Sequence, residues 1–261
     1  MAIVETVLLG WLAACVFMAG FWLLQLRTND AGIVDVVWSV GVGILACSFA
    51  WQADGLVERR ILIATLAGIW ALRLAPHLLR RVIQMPEDGR YQKLRADWGD
   101  HTQRNLFIFF QVQAFWSVLF ATPMLLANRN NYPLGLADAT GIAIWVVSMA
   151  GESISDRQLG KFRSNPANKG KVCREGLWRY SRHPNYFFEW LHWFAYVAIG
   201  WGGPHGLLTL AGPAVMLFFL FRITGIPPTE ANALASRGDA YREYQRTTSI
   251  FIPWPPKEQS A

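Results

Sequence analysis

The sequence predicts an all-α membrane protein with seven transmembrane helices, the N-terminus outside and the C-terminus cytoplasmic. Three observations carry that prediction. Of the 261 residues, 53% are hydrophobic and only 16% charged, with 13 Trp and a mean hydropathy of +0.22, whereas a soluble domain is about a quarter charged. Apolar runs of membrane-spanning length recur near residues 6–26, 35–52, 61–79, 106–128, 137–155, 185–201 and 206–225. Finally, 20 of the 24 Lys and Arg residues fall in alternate connections and the C-terminal tail, against Arg59, Arg60 and Arg129 on the other side and Arg73 within a run. The positive-inside rule then fixes the orientation, and one helix more or fewer would scramble the split. Little chain is left for a soluble domain, so 1–261 reads as one integral-membrane domain, with substrate-side helices over 1–135 and a polar-ligand region over 136–261.

Taken in order, the first run lacks a basic leader region and a small-residue cleavage site, so it reads as a retained span. The second is headed by Asp35, near the interface, where it could cap the helix. The third carries Arg73 and His77, placed to snorkel, and the fourth Gln111 and Gln113. The fifth ends in Glu152 and Asp156, four residues apart and so on one face. The sixth opens "PNYFFEWLHW", which puts Asn185, Glu189 and His192 on one face at i, i+4 and i+7. Ionisable groups inside spans are rare and mark a partner or a function, and Glu189, about one turn into an aromatic span, is the hardest to explain by packing alone.

Outer connections are short and cytoplasmic ones long, and connections above about a dozen residues are often functional. The 156–184 stretch holds eight cations, Asn165-Pro166 and Lys169-Gly170 break it, and a polar ligand would dock there. The +6 net charge belongs to this face and suits anionic lipid. Nucleic acid is excluded as a partner, because no basic helix or stacking platform stands clear of the membrane. Cys15, Cys47 and Cys173 show no CxxC spacing, so neither disulfide nor zinc is indicated. Glu189 and His192 form a single Glu-x-x-His pair where a di-iron bundle needs two, so no metal is expected. There is neither GxGxxG nor a P-loop, so a phosphate-bearing ligand would be held by Lys and Arg.

"GLWRYSRHPNYFFEWLHW" (Gly176 to Trp193), with Asp156, Leu159 and Arg163 before it and "YREYQRTTSIFIP" (Tyr241 to Pro253) after it, resembles the C-terminal signature of the steroid 5α-reductase family, closest to its bacterial branch and similar to the sterol reductases. "DVVW" (Asp35 to Trp38) and "ALRLAPHLLRR" (Ala71 to Arg81) extend it more loosely. The resemblance implies a seven-helix fold enclosing NADPH, hydride transfer to the β carbon of a Δ4-3-oxosteroid or similar apolar enone, and a bacterial cytoplasmic membrane with the site open to the cytoplasm. It implies cofactor contacts at Asp156, Arg163, Lys171, Asn185 and Glu189. Arg179, Arg182, His183, Tyr186, Tyr241 and Tyr244 join them from the same motifs, and the loop cations suit a ligand with three phosphates. The family activates the carbonyl with an acid from span two and a Tyr from span three. Here the acid is Asp35, which donates only if burial keeps it protonated. The Tyr position reads as Trp70, whose indole donates but is no general acid, and Trp38 is a pocket wall.

Membrane methyltransferases that use S-adenosylmethionine, the isoprenylcysteine carboxyl methyltransferases among them, share RHPxY. Their tail carries a Glu-Glu pair where Glu230 is here followed by Ala231, and a cationic loop suits a sulfonium poorly. A transporter would show inverted repeats with matching broken helices, and none is visible.

Overall fold

The computed structural model describes residues 2–257, and among them every regular element is helical, with no strand. The chain forms two compact units, one from residues up to Leu134 together with Gly200–Thr209, the other from Gly135–Ile199 together with the chain from Leu210.

In the first unit α1 (Ile3–Thr28) ends at Asn29, whose left-handed φ of 53° lets its N–H reach Gln25 O at 2.9 Å. Asp30 Oδ1 accepts from Gly32 N–H, and α2 (Ile33–Gln52) follows with Asp35 inside its first turn. Asp35 is therefore not the cap that the sequence suggested. α2 meets α3 (Val57–Gln84) through Gly43, where a Cβ would lie 2.5 Å from that of Ala71. α3 stops before Met85, whose extended backbone (φ −123°, ψ 154°) is what the following Pro86 requires. α4 (Gly89–Trp98) starts on Asp88, whose carboxylate accepts the Arg90 N–H, and ends at Gly99 with φ +50°. α5 (Thr102–Ala127) completes the unit. Met18, Val34, Phe49, Leu106, Phe110 and Leu125 fill its core, and Tyr91, Leu94 and Trp98 pack on it as one stripe of α4. Val4, Leu8, Leu12 and Val16, four residues apart along α1, stay 54–68% exposed. A stripe of that kind needs lipid rather than water.

The second unit holds α6 (Leu136–Ser164), α7 (Pro184–Gly200), α8 (Ala211–Phe218), α9 (Ile226–Arg237) and α10 (Asp239–Thr247). α6 continues to Ser164 and stops at Asn165, extended before Pro166. Asp156 and Arg163 are thus on a helix, seven residues apart on one face, not in a loop. The run near 206–225 is not one helix, because α8 passes into a π turn at Phe219–Ile223.

Five helical stretches are long and apolar enough to cross a membrane: Ile3–Thr28, Ile33–Gln52, Val57–Gln84, Gly89–Ala127 and Gly206–Arg237. These are the helices of an integral membrane protein. α6 and α7, expected as spans, are not among the five. α7 has 17 residues, roughly 26 Å of helix against about 30 Å of hydrocarbon. The second half of α6 carries Glu152, Asp156, Arg157, Lys161 and Arg163.

Candidate functional site

The 176–193 stretch is built onto α6 by close approach. Gly151 lies flat on the Phe188 ring, where a Cβ would come within 2.4 Å of two ring carbons. Gly176 has φ +57° and sits against Gln158, whose Oε1 accepts from Leu177 N–H at 2.9 Å. Trp178 Nε1 donates to Ser155 O at 2.9 Å. The C-terminal segment then closes over this stretch. Arg182 N–H donates to Ser249 O and Trp254 N–H to Tyr180 O, while Ser181 Oγ donates to Phe251 O at 2.7 Å.

Glu230 on α9 gathers four side chains that no spacing in the sequence connects. It accepts from Arg182 Nε at 2.7 Å, His183 Nε2 at 3.2 Å, Tyr241 Oη at 3.2 Å and Gln245 Nε2 at 2.8 Å. Arg182 is 8% exposed, and its NH1 donates to Gln245 O and Thr248 O. A buried ion pair holds only when its remaining donors and acceptors are met, and here they are. Burial and the Glu230 charge push the Tyr241 phenol up from its usual range. Burial likewise raises Tyr244, whose hydroxyl donates to Trp178 O and Ser181 O.

The expected cofactor residues therefore divide. Arg182, His183, Tyr241 and Tyr244 are bound up inside the protein, tying the RHPN stretch to α9 and α10. Tyr186 stacks on the His183 ring (5.3 Å, 3° between planes), and its hydroxyl lies 3.2 Å from Thr229 Oγ1. Asn185 Nδ2 donates to Asp156 Oδ1 at 3.3 Å, which joins α7 to α6. Asp156, Asn185, Tyr186 and Glu189 are half-buried, and Arg163, Lys171 and Arg179 are exposed. His192, fully buried, meets Tyr196 Oη at 3.1 Å.

In the first unit Asp35 lines a cleft with Asp30, Leu78, Arg81, Val82 and Asp88. Its Oδ1 accepts from Tyr91 Oη at 2.8 Å and its Oδ2 from Arg90 NH2 at 2.9 Å. Asp88 binds Arg90 through both its backbone N–H and Nε and also accepts from Arg81. Burial works against the Asp88 carboxylate, but hydrogen bonds and charge from Arg90, with the charge of Arg81, outweigh it and hold the carboxyl below its usual range. Trp70, expected to take the tyrosine's place, is fully buried with its ring edge-on to Trp38 at 6.1 Å. Trp38 lies one turn along α2 from Asp35 and also meets Phe120 edge-on at 5.4 Å. The hydroxyl beside the acid belongs to Tyr91 on α4, which is not among the residues expected from sequence. The signal was present: Tyr91, Leu94 and Trp98 form an apolar stripe behind the Asp88-Gly89 start.

Fold and sites together define a helical membrane protein with an acid–tyrosine pair whose acid lines a cleft and a carboxylate-centred C-terminal knot. Residues 21–248 match the model of the family described as "Protein of unknown function (DUF1295)", and the chain belongs to that family, which is steroid 5-alpha-reductase-like. Over 115 residues it is 27% identical to 3-oxo-5-alpha-steroid 4-dehydrogenase 1 of Mus musculus, covering 44% of this chain and 41% of that one. Over 83 residues it is 32% identical to the probable O-methyltransferase ustE of Ustilaginoidea virens, covering 32% and 27%. An uncharacterised protein of Schizosaccharomyces pombe is 24% identical over 207 residues, covering 69% and 60%. The matches thus span from about a quarter to three fifths of these relatives. No solved structure matches.

Proposed function

We propose that this protein reduces the carbon–carbon double bond of an apolar enone, a Δ4-3-oxosteroid or a molecule of similar shape, with NADPH as the reductant. The observation that carries the reading is the Tyr91 hydroxyl on the Asp35 carboxylate, which itself lines a small cleft. Attack at the β carbon of an enone drives negative charge onto the carbonyl oxygen, and a fixed donor at that oxygen stabilises it. Tyr91 is that donor. Asp35, with Arg90 on its other oxygen, accepts from Tyr91 and orients it. Trp38 is a wall of the substrate space, and Trp70 supports Trp38.

Family membership supports a nicotinamide nucleotide as the reductant, and that group supplies the hydride when bound. The donor set of the second unit fits it. Arg163, Lys171 and Arg179, exposed along and after α6, suit phosphates. Asp156, Asn185, Tyr186 and Glu189 suit ribose and carboxamide. Arg182, His183, Tyr241 and Tyr244 keep that surface in shape. In this reading α6 and α7 also cross the bilayer, giving seven spans, with the N-terminus outside and the cationic stretches in the cytoplasm of a bacterial cell.

The test uses the full chain in detergent with NADPH and progesterone, following nicotinamide absorbance and product mass. A product two mass units heavier, lost in Glu189→Gln while the protein stays folded, is the expected result. Wild-type turnover in Glu189→Gln removes that residue from the site. The likeness to a probable O-methyltransferase favours a second reading, transfer of a methyl group from S-adenosylmethionine. Retention of labelled S-adenosylmethionine with no reduction of progesterone selects it.

A further inference from the structure

Arg90 is the third member of the acid–tyrosine pair. Its NH2 lies 2.9 Å from Asp35 Oδ2 and its Nε 3.1 Å from Asp88 Oδ1. Its guanidinium carbon stands 5.2 Å from the centre of the Tyr91 ring. At rest each Asp35 oxygen has one donor. For Tyr91 to bind a substrate carbonyl, its hydroxyl must leave Asp35 Oδ1. The Asp35 side chain is only 34% exposed, so a carboxylate there would hold the hydroxyl back unless a cation stayed with it. Enolate formation then places a second negative charge next to Asp35, which Coulomb repulsion opposes in the same way. Arg90 touches both sides of this problem, and Asp88 fixes it in place.

We infer that Arg90 is a positioning residue: it keeps Asp35 compensated while the Tyr91 hydroxyl turns from the carboxylate to the substrate carbonyl, and it offsets the charge that builds on that oxygen. This rests on the reductase reading above. The step balances without ionising Tyr91. A hydride adds to the β carbon, the π electrons move through the enone onto oxygen, Tyr91 hydrogen-bonds that oxygen, and water supplies the proton that finally reaches the α carbon.

Two measurements on the full chain in detergent test this. With NADPH and progesterone, Arg90→Gln lowers kcat by about ten- to a hundredfold with KM within about threefold, and Arg90→Lys falls between, because it keeps the charge but not the fork. In an Asp35→Asn background, Arg90→Gln adds less than about a further twofold, since the two act as one unit. Binding is read separately, without cofactor, by Trp fluorescence. A steroid 3-carboxylate, carrying negative charge where the enolate oxygen would be, loses at least about tenfold in affinity in Arg90→Gln, and progesterone less than about threefold. Equal losses for both probes, or full additivity with Asp35→Asn, overturn the proposal and leave Arg90 a packing residue. A wild-type chain that reduces no enone sinks the reductase reading alone, because the two binding curves still decide whether Arg90 holds an anion at Asp35.

Discussion

Each unit sets a carboxylate against an arginine and a tyrosine, but in a different way. In the first, Asp35 has Arg90 on one oxygen and Tyr91 on the other. In the second, Glu230 has Arg182, His183, Tyr241 and Gln245. The difference lies in saturation. Glu230 is 14% exposed and takes four donors, and the arginine that binds it is buried with further bonds to backbone. Asp35 is 34% exposed, takes two donors and faces a cleft. A carboxylate with every lone pair engaged can only hold the fold together, while one with spare acceptor capacity at a cleft can exchange a partner for a ligand.

Breaking the saturated member has the largest expected effect. Glu230→Gln leaves the Arg182 guanidinium buried without its counter-charge, which costs about 3–5 kcal/mol. Thermal unfolding in detergent should show a large fall, with the C-terminal segment over the RHPN stretch released early to proteolysis. An unfolding temperature within experimental error of wild type would show that these bonds do not support the fold, and the contrast between the units would collapse.

Breaking the unsaturated member should do the reverse. Tyr91→Phe removes one hydroxyl and leaves Asp35 with Arg90, so stability changes little. Loss of one donor at a developing oxyanion lowers turnover by roughly 100- to 1000-fold. Single-turnover reduction measured beside thermal unfolding separates the two. If Tyr91→Phe turns over enone at the wild-type rate, the donor is a different group and Asp35–Tyr91 is a structural bond. If it unfolds instead, the two units are alike after all.

The sequence showed the helical membrane character directly, because hydropathy and charge placement act locally and add along the chain. It also brought out the cationic 156–184 stretch and the Asn185 and Glu189 face. What it hid was non-local. Between the third and fourth apolar runs the chain is rich in Arg and Lys, and those charges masked the short helix whose Tyr91, Leu94 and Trp98 face the core. The resemblance implies Trp70 as the partner of Asp35, yet the hydroxyl comes from α4, 56 residues along the chain from Asp35. Glu230 was invisible for the same reason. Its four donors lie between 11 and 48 residues away, and no spacing rule joins them. Arg182 looked like a phosphate ligand because a cation near a loop usually faces water, and only the folded tail shows that it does not.

The smallest effects sharpen this last distinction. Arg163, Lys171 and Arg179 are exposed, and an exposed ion pair is worth about 0.2–1 kcal/mol. Neutralising any one of them to Gln should therefore weaken NADPH by only about 1.5- to fivefold, measured by titration of the purified chain at low salt. Such a loss comes from solvent-exposed charge, so it should fade as the Debye length contracts to about 3 Å near 1 M salt. Arg182→Gln gives the contrast: its effect is on unfolding, and salt does not restore it. Loss of a cation that meets the 2′-phosphate weakens NADPH but leaves NADH unchanged, whereas loss of one that meets the pyrophosphate weakens both. If all three substitutions leave both nucleotides unaffected, the exposed cations serve only the membrane surface, and the phosphates are held by other groups.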